Sequence, residues 1–172
     1  MIIGLLSDTH GHMDAHILHH LDGCDEIWHA GDVGAGPVLD QLRTLAPVKA
    51  VYGNIDDGPL QNELPESLSQ HYQGLHLWMI HIGGRPGRYA SGVPARLKNM
   101  RPDLFICGHS HILKVAHDPR WNHFYVNPGA AGHHGFHQQR TMLRLHLQEG
   151  ALVSVEVVEL GPRGRRHERS IP

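Results

Sequence analysis

The chain has 172 residues, a length that one domain with a sizeable core explains; its net charge of −2 argues against a dedicated nucleic-acid binder. Hydrophobic content of 40% and charged content of 19% fit an ordinary globular protein, and no apolar run nears the roughly 20 residues of a membrane span. No signal-peptide pattern precedes the first apolar run, and two cysteines exclude a disulfide framework or a cysteine-rich zinc site, so a reducing cytoplasm is expected.

In chain order, "MIIGLL" predicts a strand buried on both faces, closed by "SDTHGH". Asp8 and His10, two apart, are expected on one side of that strand end because side chains alternate with period two. "MDAHILHHLDG" has Ile17, Leu18 and Leu21 at helical spacing and stops at Gly23. "EIWHAGD" predicts a second strand. "GPVLDQLRTLAP" predicts a helix burying Val38, Leu39, Leu42 and Leu45, and "VKAVYGN" predicts a third strand. This alternation implies parallel strands joined by right-handed crossovers.

A loop rich in Pro, Gly and acidic groups follows, and then the pattern changes. "SLSQHY" and "LHLWMIH" predict a hairpin, "SGVPARLKNM" a helix, and "DLFICGHS", "KVAHD" and "HFYVNPG" further strands. "TMLRLHLQEGALVSVEVVEL" predicts an antiparallel ribbon with Leu143, Leu145, Leu147, Val153, Val155 and Val157 on its buried face. One domain is expected over residues 1–160, with 161–172 a mobile Arg-rich tail.

The strand ends carry the chemistry. Open α/β sheets bind ligands at the carboxyl ends of their strands. Asp8, His10, Asp32 and Asn54 follow the first three strands, and His81, His109 and His111 follow later apolar runs. Histidine occurs 18 times, more often than lysine and arginine combined. "HH" at 133–134, with no carboxylate beside it, reads as surface. Seven donors exceed the need of one cation, whereas two four-ligand sites sharing a carboxylate use that number. The expectation is a dinuclear metal site. Without thiolates it suits Mn²⁺, Fe, Zn²⁺, Ni²⁺ or Mg²⁺. His29 is either an orienting group beside Asp32 or a hydrogen-bonded core histidine. Asn127 in "NPG" reads first as a turn residue.

The ordered motifs D-x-H, GD, GN-x-D, an isolated His, then GH-x-H resemble the calcineurin-like metallophosphoesterase superfamily, and the short chain with "NPGA" is similar to its small YfcE-type phosphodiesterase branch. The resemblance implies an α/β fold, a four-layer αββα sandwich of two mixed β-sheets flanked by helices. It implies one metal on Asp8, His10 and His111, another on Asn54, His81 and His109, and Asp32 bridging. The pair is expected to be Mn²⁺. Asp32, Asn54 and His109 would surround a bridging hydroxide that attacks phosphorus in line, hydrolysing a small phosphodiester or nucleotide. Arg85, Arg88 and Tyr89 in "IGGRPGRY" are candidates for substrate binding. No long nucleic acid and no membrane are expected as partners; a dimer or tetramer is compatible. Alternatives are a phosphomonoesterase on the same site and a non-catalytic interaction module of the same fold, as in the retromer scaffold. The sequence departs from the larger relatives at Ile55, where they have a histidine in "GNH" that protonates the leaving group; His12 is the candidate to replace it. "HIGG" after His81 also departs from the "HGH" of many relatives.

Overall fold

The computed structural model describes residues 1–164. Three parallel strands, β1 (Ile2–Leu6), β2 (Glu26–His29) and β3 (Val48–Ala50), alternate with α1 (Ala15–Leu21) and α2 (Val38–Arg43). After α3 (Gly58–Glu63) come the hairpin strands β4 (Ser67–Tyr72) and β5 (Leu75–Ile80), and then a two-stranded ribbon, β6 (Gly84–Arg85) and β7 (Arg88–Tyr89). The chain continues through α4 (Val93–Met100), β8 (Leu104–Ile106), β9 (Leu113–Asp118), β10 (His123–Pro128), β11 (Gln139–Gln148) and β12 (Ala151–Pro162). One five-stranded sheet has the order β12-β11-β1-β2-β3 and the other β4-β5-β8-β10-β9.

Both sheets are mixed. Parallel β1, β2 and β3 carry the antiparallel β11–β12 ribbon on one side. Parallel β5, β8 and β10 are flanked by antiparallel β4 and β9. The sheets face each other across a core of Ile3, Leu5, Trp28, Leu77, Met79, Leu104, Ile106, Val126 and Leu143. The outer face of the first sheet packs Leu6, Ile27 and Met142 on Ile17, Leu21, Val38 and Leu42 of α1 and α2. That of the second packs Trp78, Phe105 and Tyr125 on Val93 and Leu97 of α4. Helix, sheet, sheet, helix is the four-layer sandwich expected from the sequence. Among the described residues no helix is long and apolar enough to cross a membrane.

Four features differ from the sequence expectation. The Pro/Gly-rich loop contains α3, started by the Pro59 ring in its first turn, and Leu60 packs half-buried beneath it. In β12 the register slips twice, opposite Arg140/Thr141 and His146/Leu147. The slip at Val153 breaks the valine alternation, so Leu152 and Val155 pack inward while Val153 is exposed; Val157, on the same face as Val155, is exposed as well. Leu45, beyond the end of α2, is also exposed. β12 continues through Pro162, past the boundary expected at 160, and residues 165–172 of the expected tail lie outside the described residues. Cys24 and Cys107 are buried free thiols.

Arg140 pins the layers together below the site. Its buried guanidinium donates to Asp14 Oδ2 from both terminal nitrogens at 2.8 Å, to Leu160 O at 2.7 Å and to Ala131 O at 3.3 Å. Asp14 in turn caps α1 by accepting from Ile17 N. Burial opposes ionisation of Asp14, but Ile17, His12 and Arg140 outweigh it and hold the carboxyl at about 2. The depressed value means that this stability is present above the unfolded pKa of about 4 and is lost as pH falls from there through about 2. Urea unfolding followed against pH will show that loss, and Asp14→Asn will flatten it. At pH 7, Arg140→Leu will destabilise by about 2 kcal/mol, below the range for a fully buried pair because Asp14 is part-exposed.

Candidate metal centre

β1, β2, β3, β5 and β8 all finish at one edge of the sandwich, and the candidate donors stand just beyond them. Asp8, His10, Asp32, His109 and His111 have φ between 48° and 67°, the left-handed region that non-glycine residues rarely occupy. Asp8 and His10 therefore reach the same spot through a left-handed turn, not through strand alternation as the sequence suggested. The other such residues among those described are Gln73, Arg101, Asn122 and Glu149, in turns or at a helix end. Strained backbone of this kind persists where the surrounding structure over-determines it.

Hydrogen bonds to the strand exits do the over-determining. Gly31 N–H donates to His29 Nδ1, leaving the ring proton on Nε2 to donate to Thr9 Oγ1 at 2.9 Å, and Thr9 donates onward to Val33 O. Of the two readings of His29, the structure gives the hydrogen-bonded core histidine. It is fully buried, and burial lowers its pKa to about 4, so it is a neutral strut between the first two strand exits. Asp56, to which the sequence reading gave no role, accepts from Gly53, Val33 and Gly34 N–H. Asn127 receives Gly129 N–H in a local turn and donates to Gly108 O at 2.8 Å, steadying the loop of His109 and His111. Gly108 itself must be glycine: a Cβ there would lie 2.0 Å from Ser7 Oγ and 2.9 Å from Asp8 Oδ2.

Two clusters result. Donor atoms of Asp8, His10 and His111 lie within 4.8 Å of one another, and so do those of Asp32, His81 and His109. The clusters touch. Asp32 turns Oδ1 to His81 Nε2 at 3.1 Å and Oδ2 to His10 Nε2 at 3.6 Å, while Asp8 Oδ1 is 3.1 Å from His111 Nε2 and 3.9 Å from His81 Nε2. Asn54 is exposed at the rim and lines the depression that holds His10, Asp32, His109 and His111. The structure thus brings all seven candidate donors to one edge.

These residues fit a cation. His81 Nδ1 lies 2.8 Å from Ala30 O, so Nδ1 carries a proton and the Nε2 lone pair of a neutral ring faces carboxylate oxygens. Asp8 Oδ1, His10 Nε2 and His81 Nε2 are buried without any hydrogen-bond partner. Acceptors packed this closely repel unless a positive charge lies among them. Burial opposes protonation of His81, yet Asp32, Asp8 and Ala30 O overcome it and raise its pKa.

Other candidates fall differently. His12 is not brought to the depression: its Nε2 lies 2.9 Å from Arg140 Nη1 and 3.1 Å from Asp14 Oδ2, and its ring packs 4.3 Å from that of His133. Arg140 already supplies the cation of that group. Arg85 and Arg88 line a neighbouring groove of about 390 Å³ with His109, Ser110 and Lys114, a lysine the sequence reading missed. Tyr89 borders that groove, but its hydroxyl is committed to Asp118 Oδ2 at 2.5 Å. The pair at 133–134 is at the surface, His134 exposed and His133 in part, yet His134 sits 4.7 Å, ring to ring, from His10 and lines the metal-side depression with His137.

Comparison with known proteins agrees with this arrangement. Residues 1–150 match the model of the calcineurin-like phosphoesterase superfamily domain. A probable metallophosphoesterase of Methanocaldococcus jannaschii is 33% identical over 137 residues, 76% of this chain and 68% of that protein. Vps29 of Entamoeba histolytica, solved with zinc, superposes with TM-score 0.72 at 19% identity over 94% of this chain and all of its own. An archaeal phosphodiesterase superposes with TM-score 0.70 at 20% identity over 92% of this chain and 99% of its own. The chain belongs to the calcineurin-like phosphoesterase superfamily.

Divalent metal at a hundred times its dissociation constant will stabilise the protein by about 2.7 kcal/mol. That is a rise in Tm of roughly 5–10 °C for a domain of this size. Asp32→Asn will abolish most of the rise in a thermal scan, and chelation will reverse it in the parent.

Proposed function

We propose that this calcineurin-like phosphoesterase is a dinuclear metal-dependent phosphodiesterase acting on a small phosphodiester or nucleotide. The observation that carries the reading is the two-faced carboxylate of Asp32, one oxygen toward His81 and the other toward His10. In this reading Asp8, His10 and His111 hold one ion, Asn54, His81 and His109 the other, and Asp32 joins them. Two bound divalent ions, with Mn²⁺ our first choice, would supply an acidified water and charge neutralisation at phosphorus.

The chain's own residues do the rest. The Ile55 backbone N–H donates to Asp32 Oδ1 at 3.1 Å and fixes the plane of the carboxylate. His109 is exposed beside Asn54 in the depression, where it would face a bound phosphate. Arg85 and Arg88 offer guanidinium donors to its free oxygens, or to a second anionic group, along the adjoining groove. Tyr89 and His12 take no direct part in this proposal: the Tyr89 hydroxyl donates to Asp118, and His12 Nε2 faces Arg140 and Asp14.

Similarity to the archaeal phosphodiesterase supports the diester preference. Similarity to Vps29 keeps a protein-binding role in view, and the completeness of the donor set favours the enzyme over that role. The buried free thiols suit a reducing cytoplasm.

The Ile55 side chain has no proton to give to a departing alkoxide. Protonation by a positioned acid contributes typically about 10²–10⁴-fold. With manganese loaded, aryl diesters such as bis(p-nitrophenyl) phosphate will therefore turn over at least 100-fold faster than dialkyl phosphates. Hydrolysis of monoesters alone would convert the assignment to a phosphomonoesterase, and activity surviving thorough chelation would remove it.

A further inference from the structure

The sixth parallel strand, β10, ends at the same edge as the others, and the chain beyond it, residues 129–138, lies against the candidate centre. Its backbone is tied to the donors themselves. Gly132 N–H donates to Asp8 O at 3.1 Å, His137 Nε2 donates to Gly132 O at 3.0 Å, and Arg163 Nη1 donates to Gly135 O at 2.5 Å. Gly135, at φ 114°, presses so closely on His111 that a Cβ would fall 2.1 Å from its Nδ1. This loop therefore has a set position, and that position displays the side chain of Phe136 fully to solvent.

Phe136 is not alone. It lines the depression of about 460 Å³ that holds His10, Asp32, Asn54, His109 and His111, together with Ile55 and Ile112, which are 43% and 66% exposed, and the rings of His134 and His137. A globular surface seldom concentrates large apolar side chains in one small concavity unless something binds there. The floor of this one is polar and the rim apolar and aromatic, the arrangement of a small-molecule site. The volume is also within the range of small-molecule sites.

Resting on the phosphoesterase reading above, we propose that Phe136, with Ile112 and Ile55, binds a planar aromatic ring carried by the substrate. The scissile phosphate lies on the donor cluster, and the ring lies across the Phe136 face while His134 closes the wall. The substrate class is a phosphoester of a nucleoside or an aryl alcohol, not of a simple alkyl alcohol or a bare sugar. Stacking of a base on an aromatic side chain is worth roughly tenfold or more in affinity.

Phosphonates test this without any bond being broken. Titration calorimetry on the manganese-loaded full chain compares phenylphosphonate with methylphosphonate, which share the metal-seeking group and differ in the ring. Phenylphosphonate will bind roughly tenfold more tightly. In Phe136→Ala that ratio will fall to about two or less, and in Phe136→Trp it will persist. Equal affinities in the parent, or a ratio untouched by Phe136→Ala, would overturn the aromatic site and leave the phosphoesterase reading standing. Failure of both phosphonates to bind to protein whose Tm shift shows it is loaded would overturn that reading and this one together. The phosphonate analogue of adenosine monophosphate distinguishes the two sources of a ring. Tighter binding than phenylphosphonate assigns a nucleobase, weaker binding assigns an aryl ester, and either order above methylphosphonate supports the site.

Discussion

Repulsion among buried acceptors is the constraint on which this molecule turns. Asp8 and Asp32 are both buried, and the Nε2 atoms of His10, His81 and His111 are set within 4 Å of their oxygens. Among the described residues no lysine or arginine pairs with Asp8 or Asp32. A fold that brings them together must hold them by other means, and much of the remaining structure is intelligible as those means. His29 and Thr9 lock the exits of β1 and β2 with neutral hydrogen bonds that add no charge. Asp56 spends both oxygens on backbone N–H groups instead of joining the cluster. Asn127 ties the fifth strand exit from the far side.

The holding is costly in backbone terms as well. Five donors in left-handed conformations cost of order 1 kcal/mol or more each. They are carried by rigid strands whose apolar residues are wholly buried between the sheets, such as Ile3, Leu5, Leu104 and Ile106. A loose scaffold would relax to ordinary dihedrals and let the carboxylates drift apart. Two stacked sheets with their carboxyl ends in register provide stiffness on both sides of the cluster, so neither sheet alone would suffice. A bound cation would offset the strain and the electrostatic cost together.

Much of this was legible in the residues, for identifiable reasons. Strand positions followed from apolar runs, and the shared edge followed from the rule that open α/β sheets use their carboxyl ends. Applied to "HFYVNPG", which also reads as a strand, the same rule points to the 129–138 loop and with it His134, Phe136 and His137. The local conformation of Asp8 and His10 was not legible, because period-two alternation ends with the strand and Asp and His are among the residues that tolerate positive φ. The β12 slips were hidden since bulges follow from pairing with β11, not from the valine pattern. Asp56 could have been found: a carboxylate two residues past the Asn of "GNID" is the natural acceptor for a tight turn's N–H groups.

Ile55 joins the architecture to the proposed chemistry. Its main chain serves the cluster by fixing Asp32, a task any residue but proline could perform. Its side chain is therefore free to vary, and isoleucine at that point does two things at once. It removes a proton donor from the leaving-group side, and it adds apolar area next to Ile112 and Phe136 at the mouth of the depression. Leaving groups that depart without protonation are chiefly those whose oxygen is attached to an electron-withdrawing ring or another phosphate. An aryl ester of that kind is also the group an apolar, aromatic mouth would favour. One substitution thus moves reactivity and recognition in the same direction, which a surface loop residue chosen only for solvation would not do.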